Sequence, residues 1–379
     1  MRVGLFTYGM ERELTGIGRY AYELSRTLQA EHPDVDVVLL NPYPRSRLAW
    51  YRRFPVIPVP SLARLPAVLT MGPAVLDWAA RQGRVDVLHD PCGIAPFLWP
   101  RSRRYARVVT IHDAIPRLHP EWYGAVDRWL FKAWLPTARF TADAVMTVST
   151  TAAHDLVRHL GLPGPRVWVT YSGVHVPDDA DLRVLRGTRP LPFSPYFLFV
   201  GRVSRRKNLE TVLEAFGDVA ATDPTVHLVV AGPGALPGHR PAGPRIHVVG
   251  YVNDRDLKTL YARAAAVVIP SLYEGFGLPL LEGMAYGAPT ISANAGSLPE
   301  IRGDAGLGIA PLDVSGWREA MLTLLRDEAL RRVLCEKGRA RARVFSWSGT
   351  ARAVLAVYRT VYERMRGDRP GDDDRPDAS

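Results

Sequence analysis

The sequence predicts an α/β protein of two Rossmann-like parallel-sheet domains, and three observations predict it. At 379 residues the chain can bury two separate cores. Strand-like apolar runs alternate with helical patterns through most of its length, the pattern of parallel strands joined by helical crossovers. The alternation lapses once, at "VPDDADLRVLRGTRPLPFSP" (Val176–Pro195), a stretch rich in Pro, Asp and Arg with little periodicity. The expected layout is a domain at 1–175, a linker at 176–193 and a second domain at 194–345.

In the first half, strands are expected at Val3–Thr7, Val35–Leu40, Val85–His89, Val108–Ile111, Ala144–Val148 and Val167–Val169. Helices are expected at Gly18–Ala30 and within Ala125–Phe140, and Ser149 should cap a helix starting at Thr151. In the second half, strands fall at Tyr196–Val200, His227–Val230, Ile246–Val249 and Ala266–Ile269. Helices follow at Asn208–Ala221, Asp254–Ala264 and Leu278–Tyr286. The tail at 367–379, "GDRPGDDDRPDAS", has no apolar anchor and is expected to be disordered, with Asp372–Asp374 a solvated charge cluster.

Composition narrows the class. Hydrophobic content of 47% with 23% charged residues fits a soluble globular protein rather than a disordered chain. Met1-Arg2 leads straight into "VGLFTY", too short for a signal core, and no apolar run approaches the length of a membrane span. A cytoplasmic protein is the simplest expectation. Cys92 and Cys335 alone give neither a disulfide framework nor a thiolate metal site. The net charge of +10 rests on arginine, with only four lysines in the chain, and no nucleic-acid-binding module is legible. Between Arg45 and Arg107 eleven arginines face Asp77, Asp86 and Asp90, with Trp50, Tyr51, Phe54 and Leu62 interleaved. That stretch suits either a solvated basic face or peripheral contact of the N-terminal domain with an anionic membrane.

Three segments carry chemistry. "TGIGRYAYEL" (Thr15–Leu24) contains Gly16-x-Gly18-x-x-Ala21, which fits a dinucleotide fingerprint. In such a unit the first glycine follows the strand almost at once, and a carboxylate ends the second strand. Here eight residues, Tyr8–Thr15, intervene, and the second strand ends at Asn41-Pro42. The dinucleotide reading fails. What survives is a glycine loop feeding a helix N-terminus, suited to an anion, with a simple turn as the alternative.

"VGRVSRRKNLE" sets Arg202 just after a strand and Lys207 and Asn208 at a helix start, where ligands collect in an open parallel sheet. The two cations suit a diphosphate; ordinary solvated bases are the alternative. "PSLYEGFGLPLLEGMAYGAPTI" (Pro270–Ile291) places Glu274 in a glycine-flanked loop and Glu282 in the first turns of the following helix. The amides of Gly275, Phe276, Gly277 and Leu278 would face a phosphate at the helix start. The two carboxylates would then serve hydroxyls, since a carboxylate accepts from adjacent diols.

These segments closely resemble the GT-B retaining glycosyltransferases of family 4, and the resemblance covers nearly the whole chain. "TIHDAIP" (Thr110–Pro116) is similar to the family's His-Asp loop. "TVSTTAAHDL", "GYVNDRDLKTLYARA" and "NAGSLPEIRGDAG" fall in the family's order. Ser172 in "SGV" stands where many members have Asn, a local departure that puts loop contacts in doubt. The resemblance implies two domains facing across a cleft, with a closing helix at 346–366 crossing back to the first. It implies a nucleotide-diphosphate sugar donor of GDP or UDP type, and a glycan, lipid or small-molecule acceptor.

Arg202 and Lys207 would bind the diphosphate, Glu282 the ribose and Glu274 the transferred sugar. Gly16, Gly18 and Arg19 would face the phosphates or the acceptor, and His112 the reacting sugar. Asp113 is either a partner in catalysis or a structural cap. Two cations and a helix N-terminus would stabilise the leaving diphosphate, so neither metal nor cofactor is expected. The Asp34-Val-Asp36 pair starts a strand rather than ending one. The "TIHD" loop favours GDP-mannose. A GT-B phosphorylase or nucleotide-sugar epimerase is the rival enzyme reading, and a non-catalytic nucleotide-sugar or membrane-binding protein the rival from another class.

Overall fold

A computed structural model describes residues 1–12, 16–98, 104–187, 193–239 and 243–367. The tail expectation at 367–379 therefore falls, past Gly367, outside the described residues. The chain divides into two compact units, Met1–Gly173 with Trp347–Ser379, and Val174–Ser346.

The first unit is a seven-stranded, wholly parallel sheet. Its strands are β1 (Arg2–Phe6), β2 (Asp36–Asn41), β3 (Val56–Pro58), β4 (Val87–Asp90), β5 (Ala106–Thr110), β6 (Ala144–Thr147) and β7 (Val167–Val169). Their order is β3-β2-β1-β4-β5-β6-β7. The inner strands are continuous Val/Leu/Ile runs because helices cover both faces, as parallel sheets require. Helix Gly16–Glu31 buries Tyr20, Ala21, Leu24 and Leu28 at helical spacing, starting two residues earlier than expected. Ser149 accepts the Ala152 amide at 3.0 Å and caps helix Thr150–Leu160, which stops at left-handed Gly161.

The helix expected within Ala125–Phe140 is present as a succession of helical turns of changing pitch. Helix Ala125–Trp129 is followed by a π-turn at Leu130–Trp134 and a 3-10 turn at Leu135–Thr137. Pro136, which lacks a donor and crowds the preceding turn, accounts for the change of hydrogen-bond pattern there. In the basic stretch at 45–107, Trp50, Phe54 and Leu62 are buried in the core, whereas Met71 and Trp78 are exposed. The Trp50 indole donates to Ser25 Oγ at 3.1 Å, and Tyr51 donates its hydroxyl to the Met10 carbonyl at 2.8 Å. No described helix is long and apolar enough to cross a membrane.

Helix Trp347–Gly367 packs on this first unit, burying Val354, Leu355, Tyr358 and Val361. Tyr358 shares a 2.7 Å hydrogen bond with His89 Nδ1. The carboxylates of Asp34 and Asp36 are held by Arg359 and Arg2.

The second unit is a six-stranded parallel sheet of β8 (Tyr196–Val200), β9 (His227–Ala231), β10 (Ile246–Gly250), β11 (Ala266–Ile269), β12 (Thr290–Ala293) and β13 (Leu307–Ile309). Its order is β10-β9-β8-β11-β12-β13. Much of the stretch expected as linker is helix Asp179–Gly187, which buries Leu182. The acidic residues that make the sequence look linker-like form its first turn: Asp178 Oδ1 accepts the Asp181 amide at 2.7 Å.

In both sheets the strand order reverses once, between β1 and β4 and between β8 and β11. The loops at the carboxyl ends of those strands flank a crevice, the usual ligand position in open α/β sheets.

Candidate active site

In the second unit the reversal brings together the loop after β8 and the loop after β11. Their backbones join where the Leu272 amide donates to the Arg206 carbonyl at 2.8 Å. Lys207 ends a 3-10 turn at Arg205–Lys207, and Asn208 follows in left-handed geometry to open helix Leu209–Thr222. The Asn208 amide group donates to the Pro270 carbonyl (3.1 Å) and the Pro311 carbonyl (2.8 Å), tying together the loops beyond β11 and β13.

Glu274 is the centre of this arrangement. It is buried, and its carboxylate accepts from Lys207 Nζ at 2.5 Å, Ser271 Oγ at 2.7 Å and Arg206 Nη1 at 2.7 Å. Burial alone would raise its pKa, but the Lys207 and Arg206 charges and the Lys207 and Ser271 hydrogen bonds outweigh that and hold it at about 2. Its carbonyl accepts from both the amide and the hydroxyl of Ser297. Gly296 permits this approach: its φ is +56°, and a Cβ there would stand 2.6 Å from the Glu274 carbonyl oxygen.

Helix Leu278–Ala285 begins beside the loop, with Gly277 at φ +97° as its N-cap. Glu282 lies in its second turn, where Oε2 accepts from the Tyr261 hydroxyl at 2.8 Å. The Tyr261 ring stacks on Tyr286. Gly275 and Phe276 are buried, Phe276 with its ring against Phe345, and Leu278 is half-buried. Arg202 is exposed and pairs with no carboxylate among the described residues. The structure thus joins Lys207 to Glu274, gives Glu282 a separate partner and leaves Arg202 in solvent. Sequence reasoning missed Arg206, Ser271, Tyr261 and Ser297. Only Arg206 had a signal, as one of three consecutive bases before Asn208.

In the first unit, Gly16, Gly18 and Arg19 form the opening turn of helix Gly16–Glu31, with Gly16 exposed and Gly18 buried. His112, two residues past β5, donates from Nε2 to the Pro91 carbonyl at 2.9 Å, and the Tyr20 ring meets it edge-on at 5.2 Å. Burial lowers its pKa, against the opposing pull of the Pro91 hydrogen bond, so the ring is neutral at pH 7. Asp113 Oδ1 accepts the Ile115 amide at 3.0 Å, an i to i+2 Asx turn just ahead of the helical turn at Ile115–Leu118.

Two family models match the chain: glycosyltransferase family 4 over residues 14–176, and glycosyl transferases group 1 over 191–341. The chain is 28% identical to O-antigen chain mannosyltransferase B of Escherichia coli, covering 95% of this chain and 100% of that protein. It is 26% identical to the MMP alpha-(1->4)-mannosyltransferase of Mycolicibacterium hassiacum, covering 96% and 99%. Among solved structures it is similar to sucrose-phosphate synthase from Thermosynechococcus elongatus, with a TM-score of 0.74 at 21% identity over 96% of this chain and 99% of that one. It is also similar to HepE of Anabaena in complex with UDP-glucose, with a TM-score of 0.68 at 16% identity over 97% and 100%. At those identities the structural likeness speaks for the fold.

Proposed function

The chain belongs to the GT-B glycosyltransferases of family 4, and from that premise we propose that it transfers mannose from GDP-mannose to a glycan acceptor. The observation that carries the donor reading is the cluster of Lys207, Arg206 and Glu274 at the strand-order reversal, beside the start of helix Leu278–Ala285. An anionic diphosphate suits that place. Lys207 and Arg206 offset its charge, Arg202 reaches it from solvent, and the loop at Gly275–Leu278 receives a phosphate. Glu282 takes the ribose diol and Glu274 a hydroxyl of the sugar.

As the glycosidic bond to the diphosphate breaks, negative charge grows on the leaving oxygen, and fixed cations stabilise that state more than the ground state. The positive side chains do this without a metal. His112, neutral, serves as a hydrogen-bonding group at the reacting sugar. Retention of the anomeric configuration follows the family resemblance. The names of the mannosyltransferase relatives support mannose, and the bound UDP-glucose of HepE supports a nucleotide-sugar donor.

Thermal-shift measurements with GDP-mannose, UDP-glucose and dTDP-sugars test the donor. A ligand at about 100 times its Kd adds about 2.7 kcal/mol of apparent stability. GDP-mannose should shift the protein most, and NMR of the product should show the retained anomer. A larger shift with another donor would replace mannose in this reading, and no shift with any donor would sink it.

A further inference from the structure

We infer that Asp90 is a positioning residue that locks His112 in one neutral tautomer, with its proton on Nε2 and Nδ1 kept as an acceptor for a sugar hydroxyl. Asp90 ends β4 and is fully buried. No cation balances it among the described residues. Its carboxylate instead accepts three backbone amides of its own loop, Cys92 at 2.9 Å, Ile94 at 2.7 Å and Ala95 at 2.8 Å. A carboxylate satisfied this way folds the next five residues into one tight turn, with left-handed geometry at Gly93 (φ +78°) and Ala95 (φ +53°).

The turn is fastened from outside as well. Cys92 Sγ donates to the Tyr8 carbonyl at 2.7 Å, and the Trp134 indole donates to the Ile94 carbonyl at 2.7 Å. Gly93 lies so close to the end of β5 that a Cβ would stand 3.0 Å from the Thr110 carbonyl oxygen. The product of these constraints is a fixed Pro91 carbonyl facing the His112 ring. A carbonyl only accepts, so Nε2 must carry the hydrogen, and a neutral ring then has a bare lone pair on Nδ1. Tyr20, edge-on, holds the ring plane. No described residue bonds Nδ1. His112 is thereby fitted to accept a hydrogen bond from a hydroxyl and unfitted to act as an acid.

This inference rests on the glycosyl-transfer reading for its hydroxyl partner, and its core is measurable without any substrate. In the full-length chain labelled with 15N-histidine, long-range proton–nitrogen correlations identify which ring nitrogen of His112 carries hydrogen. The signal is assigned by its loss in His112→Gln. The parent chain should show the Nε2–H form alone at pH 7. Asp90→Asn presents an NH2 group to one side of the amide cluster, so it should mix the two tautomers. It should also lower kcat about tenfold while changing the Kd for nucleotide less than twofold. An Nδ1–H ring in the parent chain would overturn the lock outright, whether or not the variant folds. An unchanged tautomer and kcat in a folded Asp90→Asn would overturn the role of Asp90. Failure of the parent chain to transfer from any donor would count against the glycosyl-transfer reading, and the tautomer would still decide the lock.

Discussion

Lys207 and Arg206 share the Glu274 carboxylate, so removing Glu274 would leave the largely buried Lys207 ammonium without its counter-charge. Lys207→Ala and Glu282→Ala are each expected to lose at least about a hundredfold in kcat/KM, or about 2.7 kcal/mol. Steady-state kinetics with the natural donor checks this, and near-normal transfer in either variant would refute the site. The pH response of Glu274 has a definite sign. Its folded value of about 2 lies below the ordinary 4.5, so its stabilisation is complete above about 4.5 and fades as pH falls toward 2. Denaturant titrations should therefore find Glu274→Gln less stable than the parent near neutral pH, with the gap closing in acid. Lys207, Glu274 and Glu282 were legible because each sits in a segment whose glycines and strand ends already mark a binding loop. Their pairing was not legible. Which cation a carboxylate meets depends on two loops far apart in sequence and adjacent only because the strand order reverses.

At the scale of elements, the long inner strands could be read because burial on both faces makes them unbroken apolar runs. β3, β12 and β13, of three or four residues each, are absent from the sequence expectations. Helices Val314–Arg326 and Glu328–Val344 are also missing from the sequence expectations, although Trp317, Ala320, Met321 and Leu324 mark a legible stripe. The short loops are where sequence and structure bind most tightly. Gly296→Ala would set a Cβ against the Glu274 backbone at a φ that alanine adopts poorly, and is expected to cost more than about 1 kcal/mol. Asn208→Ala should cost about 1–3 kcal/mol by leaving the Pro270 and Pro311 carbonyls without their donor. Urea unfolding of each variant measures both, and losses below a few tenths would show that these loops are not held as described.

At the scale of the whole molecule, the first unit depends on its last helix. Tyr358→Phe removes a buried partner from His89, and an orphaned buried group costs about 1–3 kcal/mol. Burial, with a smaller contribution from His112, lowers the His89 pKa from 6.5 to about 3. The unfolded chain therefore takes up a proton first, and stability is lost as pH falls from about 6.5 toward 3. Replacing His89 by Gln should flatten that acid slope in equilibrium unfolding. An unaltered slope would mean that His89 is not the group responsible.

Val174–Ser346 is continuous in sequence, whereas the unit around it is split, with Gly173 lying directly against Trp347. A ribosome therefore releases everything the inserted unit needs before it releases the helix that completes the other. The segment made first is finished last, and its sheet waits with part of one face uncovered while 173 residues of another unit are synthesised and can fold. For this chain, the order of synthesis and the order of completion run in opposite directions.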